Sequence, residues 1–264
     1  MTERTRPQPP GTLRWILPVA LTFLYVPLVI MVIGSFVESK IGTAKVFTFR
    51  WYGEVFQDPA LLDALLRSVA IAGLSSLIST AFGLLGALGL DRWAFSGRKP
   101  LQGLSMLSLM LPELVLSLSL LSWFAVLGFQ LNFFTVVAAH VTFTMPFVIL
   151  VIGARLRGLD ASYEDAARDL GANETQVLVR VTLPLLAPAV VAGFLLALLL
   201  SFDDFLITFY TNGAGSDTLP VWLYSLMKTG LTPKVQALSS LMLLASIVMI
   251  SIFVKLRGVE DVAN

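Results

Sequence analysis

Six stretches of the chain are almost uninterruptedly apolar: about Leu13–Phe36, Leu65–Leu90, Leu101–Leu127, Phe133–Ile152, Leu185–Ile207 and Gln236–Val254. A helix needs roughly 20 apolar residues to cross the ~30 Å hydrocarbon core of a bilayer. The pattern therefore predicts an all-α integral membrane protein with six transmembrane helices in one domain over residues 1–264. The first stretch exceeds a signal-peptide core and lacks a clear small-x-small cleavage site, so it reads as a membrane helix. Polar positions gather between the stretches, most densely over 155–184, between the fourth and fifth spans.

Six spans place both termini on one side, and the basic residues say which. With the N-terminus inside, the inner segments hold Arg4, Arg6, Arg14, Arg92, Arg98, Lys99, Arg155, Arg157, Arg168, Arg180, Lys255 and Arg257. The outer ones hold Lys40, Lys45, Arg50, Arg67, Lys228 and Lys234. The excess is on the inner side, which predicts cytoplasmic N- and C-termini and a cytoplasmic 155–184 loop. Trp15, Trp51, Trp93, Trp123 and Trp222 all fall near predicted interfaces, as an aromatic belt requires.

Within that loop, Ser162 followed by Asp165 resembles a capping box and predicts a helix starting at Tyr163. Glu164 and Asp165 then occupy the first turn, where the helix dipole favours anions. Glu164 and Arg168 are four apart and can pair. Gly171 suits a left-handed helix end, Asn173 can cap a second short helix, and Pro184 sits where a helix start tolerates it. A helix of two turns is marginal alone. Ala166 and Ala167 give it a low-relief face with Leu170 as an apolar knob, the shape of a plug for a socket on another protein. A solvated loop helix accounts for the same spacing.

Composition narrows the chemistry. Hydrophobic residues make up 56 % of the 264 and charged ones 13 %, about half the charge of a soluble domain. A net charge of +1 does not suggest nucleic acid. The absence of cysteine excludes disulfides and thiolate sites, and the single His140 excludes a histidine metal cluster, so no cofactor is expected. Inside the spans, Ser75, Ser79, Gly83 and Ala87 recur every four residues and allow close helix approach. Pro112 and Pro146 should kink the third and fourth spans. Glu113 lies near the middle of the third, and Asp203 and Asp204 near the outer end of the fifth. Charges in a bilayer face the bundle interior or water. With the nearest bases standing only at span ends, three acids suit a route for a cation. A solvated helix end accounts equally for Asp203 and Asp204, and His140 reads as a polar packing residue. After the fifth span, Leu219, Trp222, Leu223 and Leu226 predict an amphipathic helix capped by Thr218, placed at the membrane surface or against a partner.

An intramembrane protease would need a nucleophile beside its base, and no Gly-x-Ser-x-Gly turn accompanies His140. A stand-alone secondary transporter would show two related halves, and none is visible. A structural membrane protein has no need of a capped helix on show. A permease subunit does. It would draw energy from elsewhere, since the chain has no Gly-x4-Gly-Lys-Ser/Thr phosphate loop.

The loop itself resembles the EAA loop of binding-protein-dependent ABC import permeases. Asp165-Ala166-Ala167, Gly171, Val181, Leu183 and Pro184 stand at its spacings, with Asp165 for Glu and Val181 for Ile. The likeness covers nearly the whole chain after about residue 15. Ser201-Phe-Asp203-Asp204, Thr218-Leu-Pro220, Tyr224-Ser-Leu-Met-Lys228, Leu231-Thr-Pro233-Lys-Val-Gln-Ala237, Pro112-Glu113 and His140 with Pro146-Phe147 resemble the C-type permeases of spermidine/putrescine importers. The resemblance implies the type I importer fold, a bacterial-type inner membrane and a non-enzymatic transport subunit. It also implies two copies of a cytoplasmic ATP-binding subunit, a second homologous permease subunit and an extracytoplasmic solute-binding protein. Glu164, Asp165, Ala166, Ala167, Arg168, Leu170, Gly171 and Pro184 would then form the ATPase-coupling set, and Glu113, Asp203 and Asp204 the substrate pathway. A permease of the same class for another small solute remains the alternative.

Overall fold

A computed structural model describes residues 13–38, 46–228 and 230–262. Helices dominate: α1 Leu13–Gly34, α2 Arg50–Phe56, α3 Pro59–Arg92, α4 Arg98–Met110, α5 Glu113–Val126, α6 Phe133–Arg157 and α7 Ser162–Asp169. They continue as α8 Glu174–Val177, a π-helical turn Leu178–Thr182, α9 Leu183–Phe202, α10 Leu206–Thr211, α11 Leu219–Met227 and α12 Pro233–Val262. Two-residue strands β1 (Val37–Glu38) and β2 (Val46–Phe47) pair antiparallel, Val37 opposite Phe47. Among the described residues, five helices are long and apolar enough to cross a bilayer, or six spans if the bent pair α4 and α5 counts as one.

Two compact units form, one from residues up to Asp58 with Leu226–Leu243, the other from Pro59–Ser225 with residues from Leu244 onward. In the first, α1 leads into an aromatic cluster: Phe36 stacks on Phe47 at 5.3 Å and meets Tyr52 at 5.1 Å. Ser35 shares a 2.7 Å hydrogen bond with the Tyr52 hydroxyl. Lys234 at the start of α12 pairs with Asp58 at 2.7 Å.

The second unit is built on α3, α6 and α9. Ser75, Ser79, Gly83 and Ala87 are all buried on one stripe of α3, as their spacing predicts. A Cβ on Gly83 would lie 2.6 Å from Val148 Cγ1 of α6, so only glycine admits this approach. Val148, Ile152 and Leu186 are fully buried at the three-helix seam. Lipid tails are as apolar as leucine, so close packing and interhelical hydrogen bonds hold such a seam, not exclusion from water. Ser79 accordingly shares a 2.7 Å bond with Thr144 of α6, and Ser75 a 2.9 Å bond with Ser201 of α9.

Three expectations change. The third apolar stretch is not one helix: α4 and α5 meet at 115° across Leu111-Pro112, both residues extended. Pro112 supplies the break, because it lacks an amide hydrogen and biases Leu111 away from the helical region. Glu113 thus stands in the first turn of α5. The helix read as starting near Pro184 runs instead from Glu174 through the π turn to Phe202. With no amide hydrogen at Pro184, the path slips to a wider turn, and the Leu183 amide donates to Leu178 O five residues back. Thr218 does not cap α11: its buried Oγ1 has no hydrogen-bond partner among the described residues, and the Leu219 amide donates to Ser68 Oγ at 2.7 Å. Pro146 leaves α6 a single helix.

Candidate functional site

Two polar clusters stand out in the second unit. The first surrounds α7. Its start is set by Asp160, whose Oδ1 accepts the Ser162 amide at 2.9 Å. That bond holds the Asp160 carboxyl below its usual range. Ser162 is the first residue of α7, and Ala161 holds the cap position, so Ser162 is not the cap. The end of α7 is a Schellman turn. Gly171 adopts φ +85°, its amide donates to Arg168 O at 2.9 Å, and the Ala172 amide donates to Ala167 O at 3.0 Å. Asn173 then caps α8 through reciprocal 2.9 Å bonds with Gln176.

Glu164 was expected to pair with Arg168, and that contact exists at 3.4 Å. Its closer partners come from elsewhere. Arg92, in the last turn of α3, donates to Glu164 Oε1, and Thr182 donates to the same oxygen at 2.6 Å. Arg92 Nη2 also donates to Thr182 Oγ1 at 2.9 Å. Arg168 turns mainly to Glu174, at 2.8 and 3.2 Å, and to Asp165 at 2.9 Å. Glu164 is therefore held inward, while the opposite face of α7 is bare. Leu170 is 90 % exposed and Tyr163 58 %, with Ala166 open beside them and Ala167 half-buried. Pro184 is exposed on the first turn of α9. Short helices shed exposed apolar surface when a partner covers it.

The second cluster lies where interrupted helices meet. His140, fully buried on α6, shares a 2.6 Å bond through Nδ1 with Ser201 of α9. Its Nε2 lies 2.9 Å from Thr208 Oγ1 of α10 and 3.2 Å from Asp204 Oδ2. Asp204 sits in the break between α9 and α10 and accepts from the Thr208 amide at 2.9 Å, the Thr208 hydroxyl at 3.0 Å and the Ile207 amide at 3.3 Å. A proton on Nε2 satisfies every member: Ser75 donates to Ser201, Ser201 to Nδ1, Nε2 to Thr208, and Thr208 to Asp204. Such fully satisfied networks give a buried polar region one conformation. Glu113, from the break between α4 and α5, brings its carboxyl to that of Asp204.

The three acids thus separate. Asp204 is 6 % exposed and committed to this network. Asp203, its neighbour in sequence, is exposed and accepts from Ser246 Oγ of α12 at 2.7 Å. Glu113 is half-buried. His140 holds the packing place its sequence context suggests, bonded across two helices. Sequence reasoning missed Arg92, Thr182 and Thr208. Arg92 carries a weak signal, a cation closing a long apolar helix; Thr182 and Thr208 carry none.

Known proteins share this architecture and sequence. Residues 79–257 match the model of the binding-protein-dependent transport system inner membrane component family. The spermidine/putrescine transport system permease protein PotC of Haemophilus influenzae is 38 % identical over 233 residues, covering 88 % of this chain and 91 % of that protein. The putrescine transport system permease protein PotI of Escherichia coli K12 is 37 % identical over 236 residues, covering 86 % and 84 %. Among solved structures, a bacterial ABC transporter that imports the acidic polysaccharide alginate superposes with a TM-score of 0.71 at 18 % identity, over 95 % of this chain and 99 % of that one. The methionine transporter MetNI gives 0.58 at 15 %, over 76 % and 99 %. The fold is that of ABC-importer permeases.

Proposed function

The chain belongs to the family of binding-protein-dependent transport system inner membrane components, and from that premise we propose that it carries a polyamine such as spermidine or putrescine across the membrane. It is a multi-pass permease subunit and not itself an enzyme. The solute class rests on the two polyamine permeases it resembles over most of its length, and on the acids Glu113, Asp203 and Asp204 at the helix breaks. A polyamine sheds hydration from several ammonium groups as it crosses, which is costly without compensation. Carboxylates beside the passage replace part of that hydration, and attraction strengthens in low dielectric. In this reading Asp203 and Glu113 meet the solute, and Asp204 acts through Glu113 and the His140 network.

The partners follow the same reading: two copies of a cytoplasmic ATP-binding subunit, a second homologous permease and an extracytoplasmic binding protein, with both termini cytoplasmic. The observation that carries it is α7, anchored on one side by Glu164 and bare on the other at Tyr163, Ala166 and Leu170. This is the form of a helix that docks into a cleft on the ATPase. Asp165, Ala167, Arg168 and Gly171 shape it, and Pro184 shapes the turn that holds it. The test is reconstitution of the full complex in proteoliposomes. Labelled spermidine should accumulate against a gradient only with ATP and the binding protein. Accumulation of a neutral or anionic solute with no polyamine uptake would overturn the solute, and uptake without any ATPase subunit would overturn the docking role.

A further inference from the structure

An eight-residue helix pushed by a partner moves the spans only if it is tied to them. α7 is joined covalently to α6 through 158–161 and to α8 through 170–173. Both connectors are turns, and Gly171 has no neighbour within 4 Å of where a Cβ would sit. Covalent linkage through such turns lets a short helix swivel. The non-covalent ties run elsewhere. Glu164 Oε1 is held at once by Arg92, on the last turn of the 34-residue α3, and by Thr182, on the π turn that leads into α9. Arg92 and Thr182 also bond each other at 2.9 Å, which closes a three-membered ring of hydrogen bonds. Thr182 is fully buried, and the Arg92 and Glu164 side chains are about four-fifths covered.

The chemistry is matched at each corner. A cation ends α3, where the helix dipole is negative, and an anion starts α7, where it is positive. Thr182 is the last residue of the π turn, two positions before Pro184. Charge-assisted bonds of this kind are about twice as strong as neutral ones, and a closed ring resists rotation about any single member. The three residues lie 72 to 90 positions apart in pairs with Arg92, so the ring joins elements that local sequence does not.

We infer that Arg92, Glu164 and Thr182 form a latch that makes α7 one rigid piece with the cytoplasmic ends of α3 and α9, so that displacement of α7 reaches the spans and their interrupted partners. Arg92 and Thr182 are positioning residues: they touch neither solute nor ATPase but set whether movement of the docked helix is transmitted. The inference rests on the docking reading of α7. It goes further by naming the residues that convert docking into coupling.

The experiment uses the reconstituted complex with labelled spermidine as the probe. It reads two quantities: spermidine translocated per ATP hydrolysed, and the yield of a cross-link from Leu170→Cys to the ATPase subunit. The chain has no cysteine of its own. Glu164→Gln and Arg92→Ala are expected to lower the transport-to-ATP ratio roughly three- to tenfold, in the lower part of the range of coupling energies for residues in one network, with cross-link yield unchanged. Thr182→Val should fall between them and the parent. The exchanged pair Arg92→Glu with Glu164→Arg should recover much of the ratio, which loss of local packing would not allow. Glu164→Gln is isosteric and is decisive if Arg92→Ala fails to assemble. A parental ratio in Glu164→Gln at matched abundance, or an exchanged pair no better than the single variants, would overturn the latch. Absence of the cross-link in the parent would overturn the docking reading itself, and the latch with it.

Discussion

Gly171 offers the cleanest perturbation of the docking helix. Its φ is +85°, and no atom lies within 4 Å of a Cβ built there. A side chain therefore meets no clash, and the whole effect is backbone conformation. For an L-residue the left-handed region costs about 1–2 kcal/mol. A β-branched side chain is worse, and asparagine tolerates it best. Gly171→Ala should thus shift local opening of the end of α7 by roughly 5–30-fold. Gly171→Val should exceed that and Gly171→Asn fall short of it. The two bonds at risk are Gly171 N–H to Arg168 O, 2.9 Å, and Ala172 N–H to Ala167 O, 3.0 Å. Hydrogen exchange of the 166–173 amides in lipid nanodiscs reads them directly, beside coupled ATP hydrolysis in the full complex. Gly103→Ala in α4, equally free of neighbours but with no left-handed φ, is the control and should be silent. Equal exchange in the Asn, Ala and Val variants would refute the argument, because only the left-handed requirement separates them.

Four further outcomes are expected. Gly83→Ala places a methyl 2.6 Å from Val148 Cγ1 and should destabilise by about 1–3 kcal/mol; adding Val148→Ala should restore part of it in detergent unfolding, and strict additivity would deny the contact. Asp203→Asn and Glu113→Gln should lower spermidine uptake with little loss of stability. Asp204→Asn should also destabilise by about 1–3 kcal/mol, since its carboxylate accepts three bonds, and unchanged uptake in all three at matched abundance would remove the acids from the route. Cysteines at Ser39 (outside the described residues) and Gly215 should label from outside, and those at Gly97 and Ala172 only after permeabilisation; the reverse pattern would invert the topology. The Asp160 carboxyl is held below its usual range by the Ser162 amide, so its contribution to the start of α7 is present above the ordinary aspartate pKa of about 3.9 and is lost as pH falls through the folded value. Amide exchange at Ser162 should therefore quicken only in acid, and quickening at alkaline pH relative to the intrinsic rate would contradict the assignment.

Much of this protein is legible one span at a time. Hydropathy over ~20 residues is a local quantity, and it located every long helix because the bilayer fixes the length required. The stripe Ser75, Ser79, Gly83 and Ala87, the left-handed Gly171 and the Asn173 cap are likewise local, since helical spacing and backbone preference act over a few residues. Composition could not show that the third stretch folds into two helices at 115°. Pro112 marks a kink in that run, but the sharp break into two helices is set by the extended backbone of Leu111-Pro112, which places Glu113 beside Asp204. Tertiary structure alone decided the pairings. Glu164 had a plausible partner four residues away, yet its closer bonds are to Arg92 and Thr182, 72 and 18 positions distant. His140 had no visible partner until α9 and α10 brought it Ser201, Thr208 and Asp204. A buried polar group takes whichever partner packing places within 3 Å, and sequence separation carries no information about that distance.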